Sequence, residues 1–292
     1  MPNEVESVPT IAYLGPPGSF SEAAALKVPL PDKTLVDYPT IPDVLEAADL
    51  GHTTFAIIPI ENAIEGSVNL AMDWLIHEVR LMIFAEIVLP IAHGLYVAPP
   101  QRETPFPQIE KIFSHGQAIA QSFRFLRRTF PHAQVEPTLS TSEALRLVAE
   151  NPDRPWAALG HRRGAERYGL VERIRDVQDS PNNATRFLLV GHTPPAGLPP
   201  SERKKTTLLV TLGRDFPGAL SQVLHCFSWR AINLSRIESR PTKRRLGSYV
   251  FYIDIDRGVD DVLIPAAMEE LRALGHEVRF LGSYPVYEVD DD

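Results

Sequence analysis

Four turns in this chain carry the residue types to hold a small anion. IAYL (11–14) runs through GPPGSFS into an Ala-rich stretch, TFAIIPI (54–60) through ENAIEGS into VNLAMDWL, KIF (111–113) through SHGQ into AIAQSFRFLRR, and QVEPTL (134–139) through STSE into ALRLVAE. In each, an apolar run with strand character delivers Ser, Thr, Asn or Gln to a segment with helical spacing. Helix N-termini carry unpaired N–H groups and a partial positive charge, so several meeting at one cleft would bind a carboxylate or phosphate with few Lys or Arg. Helix stability alone also accounts for part of the pattern. Ser19 with Glu22, Ser114 with Gln117 and Ser140 with Glu143 each fit the capping box S/T-x-x-E/Q. Glycine recurs in these turns, at Gly15, Gly18, Gly66 and Gly116, and glycine lets backbone approach a ligand closely.

The segment DSPNNATRFLLVG (179–191) runs polar donors, Asn182, Asn183, Thr185 and Arg186, directly into an apolar strand. An arginine there can clamp a carboxylate through two parallel hydrogen bonds; an Asn-rich turn followed by an edge-strand Arg in a surface ion pair also fits. Other chemistries lack their residues. The nine histidines show no metal-ligand spacing, and Cys226 is the single cysteine. There is no GxSxG elbow, no GxxxxGK[ST] loop and no GxGxxG after a strand, which removes the main sequence support for hydrolase, nucleotide and dinucleotide readings. His115 beside Ser114 is a secondary base candidate, and equally a structural histidine at a helix entrance.

The positioning elements follow from the same apolar pattern. Before residue 191, strands alternate with amphipathic helices, as in parallel βαβ units of an α/β layered domain. Residues 191–205, GHTPPAGLPPSERKK, form a Pro-rich linker that resists helix and sheet. After it, strands at 206–213, 232–240, 248–256 and 277–284, with helices from 218 and over 260–274, spell the ferredoxin-like order βαββαβ. Such a unit exposes a sheet face or edge, which a second copy would cover. At 292 residues the chain is long enough for about two domains. Its net charge of −8 argues against a broad nucleic-acid surface. The apolar stretch 75–98 is interrupted by His77, Glu78, Arg80, Glu86, Pro90 and His93, so no membrane span is expected. One cysteine and an N-terminus without a secretory pattern point to the cytoplasm. The sequence shows no internal repeat, and its acidic end, 290–292, reads as a solvated tail.

Taken in order, GPPGSFSEAA (15–24), IPIENAIEGSV (58–68), SHGQAIAQ (114–121), STSEAL (140–145), NATRF (183–187), GAL (218–220) and ESRP (238–241) resemble the prephenate dehydratase family with a C-terminal ACT regulatory domain, over nearly the whole chain. Family members usually carry Ser or Thr at Ala63, Pro at Gly116, and often His or Thr at Glu22. The resemblance implies an α/β chain. Its two-lobed catalytic domain (9–191) would be similar to type 2 periplasmic binding proteins, with the site between lobes; a linker (192–205) and a ferredoxin-like ACT domain (206–285) would follow.

The activity implied is the decarboxylating dehydration of prephenate to phenylpyruvate, CO2 and water on the route to L-phenylalanine, without cofactor or metal. The resemblance places the essential hydroxyl at Thr185, a hydrogen-bond donor to the leaving oxygen. Arg186 would clamp a carboxylate, or backbone N–H groups would do so if its side chain points to the strand's other face. Ser21, Asn62, Ser114, Gln117 and Thr141 would add neutral donors. L-Phenylalanine is the implied feedback inhibitor, bound between paired ACT domains: Gly218, Ala219 and Leu220 at a helix start would meet its carboxylate, and Asn233, Leu234, Glu238, Ser239 and Arg240 would face it across the interface. On residues alone, GAL also reads as a small-residue packing contact and ESRP as a charged strand end before a proline turn. A homodimer or homotetramer is expected, with neither nucleic acid nor membrane as partner. Two alternatives stay open: an arogenate dehydratase, and a non-catalytic sensor of amino acids.

Overall fold

The computed structural model describes residues 8–214, 216–243 and 248–290. Residues 1–7 of the N-terminal stretch and the last two of the acidic end lie outside the described residues. The chain begins with β1 (Thr10–Leu14), α1 (Phe20–Lys27), β2 (Thr34–Tyr38), α2 (Ile41–Asp49), β3 (Phe55–Asn62), β4 (Gly66–Ser67), α3 (Asn69–His77) and β5 (Met82–Pro90). A second lobe follows, with β6 (Gly94–Val97), β7 (Lys111–His115), α4 (Gly116–Gln121), α5 (Phe123–Thr129), β8 (Gln134–Thr138), α6 (Thr141–Ala149), β9 (Trp156–Gly160), α7 (Arg162–Arg167) and β10 (Val171–Ile174). The chain then returns to the first lobe as β11 (Ala184–Gly191). Although the sequence has no repeat, the lobes repeat one topology among the described residues: β2-β1-β3-β11-β5 in the first and β8-β7-β9-β6-β10 in the second. In each, the first three strands are parallel and the fourth is antiparallel to the third. The two crossings between lobes lie side by side, Ile91 donating its amide to Asn183 O (2.8 Å) and Val177 to His93 O (2.8 Å).

Two of the three expected Ser-x-x-Glu pairs cap their helices, each glutamate reaching back to the amide just before the cap residue. Ser19 Oγ accepts from the Glu22 amide (3.3 Å) while the Glu22 carboxylate accepts from the Gly18 amide (2.7 Å). Ser140 Oγ accepts from the Glu143 amide (3.0 Å) while the Glu143 carboxylate accepts from the Leu139 amide (2.8 Å). The third does not form: Ser114 belongs to β7, and the cap position of α4 is His115, which makes no side-chain cap bond. The helix expected through AIAQSFRFLRR is broken at Ser122, because the Asp179 carboxylate accepts from the Arg124 (2.8 Å) and Phe125 (3.0 Å) amides and so caps a second helix.

After the linker come β12 (Lys204–Thr211), α8 (Ala219–Ser228), β13 (Leu234–Pro241), β14 (Tyr249–Ile255), α9 (Leu263–Ala273) and β15 (Glu277–Glu288). Their sheet order, β13-β14-β12-β15, is that of a ferredoxin-like unit. One face packs under α8 and α9, with Leu208, Val210, Phe251, Ile253 and Ile255 in its core. The other face, expected to await a second copy, is already covered. Leu209, Val250, Tyr252, Leu281 and Tyr284 share a core with Leu75, Ile76 and Val79 of the first lobe. The last strand runs beyond residue 285 and pairs in parallel with β5, Val286 opposite Glu86 and Glu288 opposite Val88. The β12–β15 pairing has a register shift between Thr207 and Leu208 and continues to Pro285 opposite Lys204, so β15, lying between β12 and β5, joins both sheets into one.

At that join a Cβ on Gly282 would lie 2.2 Å from Ile83 O, so only glycine lets the strands meet. Gly282→Ala is expected to lower stability by about 1–3 kcal/mol, read by denaturant melting; an unchanged melt would contradict the seam as described. Burial, then the charge of Lys243, pushes the His77 imidazole at this seam below its ordinary value. The unfolded chain therefore takes the proton more readily, so stability is expected to fall as pH drops through about 6.5. His77→Gln is expected to flatten that slope relative to the parent, and an identical slope would exclude His77 as its source.

Candidate functional site

The four polar turns converge. A cavity of about 570 Å³ lies between the lobes, a size suited to a small organic acid. The first lobe contributes Gly15, Ser19, Phe20 and Ser21 from the β1–α1 turn, Asn62 at the end of β3, and Val68 before α3; β11 adds Thr185 and Phe187. The second lobe contributes His115, Gln117 and Gln121 around α4, with Leu139, Ser140, Thr141 and Ser142 from the β8–α6 turn. The first amides of α1 and α6 have no partner within their own helices and belong to residues that line the cavity. The walls are otherwise apolar, with Phe20, Pro59, Val68, Ile91, Leu139 and Phe187 around a ring-sized space.

Thr185 is held by amides whose polarity is determined. The Ile64 (3.0 Å) and Glu65 (3.2 Å) amides can only donate, so Asn62 Oδ1 accepts from them. Asn62 Nδ2 therefore donates to Asn183 Oδ1 (2.8 Å) and to Thr185 Oγ1 (3.0 Å). The chain continues outward in the same sense. Asn183 Nδ2 donates to Gln121 Oε1 (3.0 Å), and Gln121 Nε2 donates to the Glu65 carboxylate (3.3 Å). Thr185 Oγ1 accepts at one lone pair and makes no donor bond to a described residue, which leaves its proton free for whatever occupies the cavity.

Ser21, Asn62, Gln117, Thr141 and Thr185 all line this cavity. Two expected residues do not. Ser114 is fully buried and donates to Leu159 O (2.9 Å), tying β7 to β9. Arg186 is no clamp and no edge-strand surface residue, because β11 lies between β3 and β5 and successive strand residues face opposite sides. Thr185 and Phe187 face the cleft, while Arg186 bonds Glu61 (2.5 Å), Glu86 (2.6 Å) and Asp254 (2.7 Å) on the far side. Burial opposes its charge, but the Asp254 and Glu86 carboxylates more than offset this and hold its pKa above the ordinary guanidinium value. Sequence reasoning did not single out Gln121 or Ser142. Ser142 is a lining residue, and among the described residues its buried Oγ has no hydrogen-bond partner. Its signal was its place two residues after the cap of α6; that of Gln121 was its position one helical turn beyond Gln117 on the same face.

The family model described as "Prephenate dehydratase" matches residues 11–195, and the one described as "ACT domain" matches residues 206–276. The chain belongs to the prephenate dehydratase family. It is 44% identical over 284 residues to the prephenate dehydratase of Bacillus subtilis (strain 168), covering 96% of this chain and 99% of that one. Its backbone is similar to the crystal structure of an Arthrobacter aurescens prephenate dehydratase in complex with L-Phe, with a TM-score of 0.82, 36% identity, and coverage of 94% of this chain and 90% of that one. It also resembles GqqA, described as a novel type of quorum quenching acylase, with a TM-score of 0.80, 25% identity, and coverage of 95% and 98%.

In the ACT domain, Gly218 caps α8 in a left-handed conformation (φ +97°), with Ala219 and Leu220 in the first turn. Asn233 donates to Asp256 (2.6 Å) just before Leu234 opens β13. The ESRP residues divide between two faces. Ser239 is exposed, whereas Glu238 accepts from Ser67 and Arg236, and Arg240 grips both oxygens of Asp73 (2.8 and 2.7 Å). Glu238 and Arg240 thus hold the catalytic lobe of their own chain, a correction to the expectation that they face an effector across an interface.

Asn62→Asp is expected to lower kcat at least tenfold, because a carboxylate cannot donate to Thr185 and would instead accept the hydrogen bond that its hydroxyl should give the substrate. Unchanged turnover would rule out the amide chain as the source of that orientation. Ser114→Ala is expected to cost roughly 0.5–1.5 kcal/mol of stability by removing the hydrogen bond to Leu159 O, with KM unchanged; a large rise in KM would return Ser114 to the substrate.

Proposed function

We infer that this chain converts prephenate to phenylpyruvate, CO2 and water, and that Thr185 supports departure of the ring hydroxyl. The observation that carries this reading is the free proton of Thr185 in a cavity otherwise lined by hydroxyls, amides, apolar walls and the imidazoles of His93 and His115. Prephenate carries a ring carboxylate and a pyruvyl side chain on one carbon of a cyclohexadiene, and a hydroxyl on the opposite carbon. As the carboxylate bond breaks, its electron pair enters the ring, the C–O bond opposite breaks, and the ring becomes aromatic. The departing oxygen must be protonated, and positioned donors contribute about 10² to 10⁴ in rate to such a step. A threonine is too weak an acid to ionise, so Thr185 hydrogen-bonds the leaving oxygen and solvent supplies the proton.

In this account, Asn62 and Gln121 hold the hydroxyl end. The carboxylate end meets Ser21, Thr141, Ser142 and the first amides of α1 and α6, with Gln117 beside them. Neutral donors suit the ring carboxylate, because a tight ion pair would stabilise the ground state that decarboxylation must lose. That explains why the cleft does without Arg186. We further propose that L-phenylalanine binds the ACT domain as feedback inhibitor, using Gly218, Ala219, Leu220, Asn233, Leu234 and Ser239. The edge of β13, unpaired among the described residues and with Ile237 and neighbouring Tyr249 exposed, would join a second copy in a homo-oligomer. We place the units at 9–191 and 206–285, the tail of β15 being shared between them, and read the chain as cytoplasmic. Among the described residues no helix is long and apolar enough to cross a membrane.

Purified chain is expected to form phenylpyruvate from prephenate, less so with L-phenylalanine present; turnover of arogenate alone would move the substrate assignment. Thr185→Ala is expected to lower kcat at least tenfold with prephenate binding retained, and Thr185→Ser to restore most of it. Parent-like turnover in Thr185→Ala would remove the proposed role.

A further inference from the structure

One side chain at the seam is shared between the two domains and is incompletely used by either. Arg236 of β13 is buried against the Tyr252 ring (5.4 Å). Its Nη2 donates to Glu238 on its own strand (2.8 Å) and to Ser67 of the catalytic lobe (2.5 Å). Its Nη1 is buried without a hydrogen-bond partner, 3.7 Å from Oε2 of Glu61. That distance is just beyond a hydrogen bond. The same oxygen accepts from Arg186 at 2.5 Å.

Two guanidinium groups therefore address one carboxylate oxygen, and only one holds it. The consequence for the cleft follows from strand register. In the β3–β11 pair, Arg186 lies opposite Glu61 and Thr185 lies opposite Asn62. The ion pair on the far face is thus one residue from the Asn62–Thr185 hydrogen bond on the cleft face. The ladder slips immediately afterwards, between Arg186 and Phe187, so the backbone there gets less support from regular pairing and more from the side chains.

We propose that Arg236 is the switch through which effector occupancy of the ACT domain reaches the cleft. A small shift of β13 carries Arg236 from Glu238 and Ser67 onto Glu61, displaces Arg186 from Oε2, and moves Thr185 relative to Asn62. An effector can shift such an equilibrium only by binding the two positions unequally, and β13 is where the proposed effector residues Leu234 and Ser239 lie. The proposal rests on reading L-phenylalanine as the effector and Thr185 with Asn62 as the reacting pair.

The test uses the full chain. Arg236→Met keeps the apolar stem and removes both contacts. L-Phenylalanine is expected to bind this variant within about threefold of the parent by calorimetry, and basal kcat is expected to stay within about threefold, while saturating L-phenylalanine no longer inhibits. Parent-like inhibition in Arg236→Met would overturn the switch. Should that variant fail to fold, Ser67→Ala removes the hydroxyl that holds Arg236 away from Glu61. It is expected to shift the half-inhibitory concentration at least threefold, and an unchanged value would overturn the proposal. A parent chain that binds no L-phenylalanine would overturn the effector reading itself, a failure distinct from inhibition that survives in Arg236→Met.

Discussion

The largely buried guanidinium of Arg186, bonded to Glu61, Glu86 and Asp254, is the interaction on which the architecture depends. Glu86 and Asp254 are fully buried, and Glu86 is also held by Lys205 (2.8 Å) while Asp254 accepts from Thr207 (2.7 Å). Removing one partner from a buried cluster of this kind costs about 3–5 kcal/mol, because the charges left behind cannot recover their water. The cluster draws strands from both domains to one point. Because side chains alternate along β11, fixing Arg186 on one face fixes Thr185 on the other.

This division of labour explains the chemistry of the cleft. The strong cation stays behind the sheet, and the cavity keeps hydroxyls, amides, the His93 and His115 imidazoles and helix N-termini. Such a lining binds carboxylates without locking them into ion pairs, as an elimination that consumes a carboxylate requires. The shared topology makes the β1–α1 turn of one lobe the counterpart of the β7–α4 turn of the other, so both sides of the cleft present a strand-to-helix turn.

Much of this was legible in the residues. The four turns were visible as apolar runs ending in polar clusters, and the βαββαβ order followed from the spacing of runs after the linker. The opposite orientations of Thr185 and Arg186 were also available, since the two-residue period of a strand forbids neighbours from sharing a face. Arg186 stood open as a clamp or as a residue of the strand's other face, and the two-residue period decides for the second. What could not be read locally was long-range. Asp254 is 68 residues from Arg186, and nothing in the sequence near either shows that they meet. The same holds for β15, whose last residues leave their own sheet for β5, and for Glu238 and Arg240, which a motif joins but which here grip the catalytic lobe. Ser114 fits a capping pattern that its strand position overrides.

The central claim is that the free proton of Thr185 faces the oxygen that leaves. It is tested most directly by a crystal structure of the chain with a ring-saturated prephenate analogue that cannot aromatise. The account predicts the C4 oxygen of the analogue at about 2.6–3.2 Å from Thr185 Oγ1, with its carboxylates among Ser21, Thr141 and Ser142. An analogue bound in the reverse sense, with its carboxylates at Thr185 and its C4 oxygen at the start of α1 or α6, would contradict it.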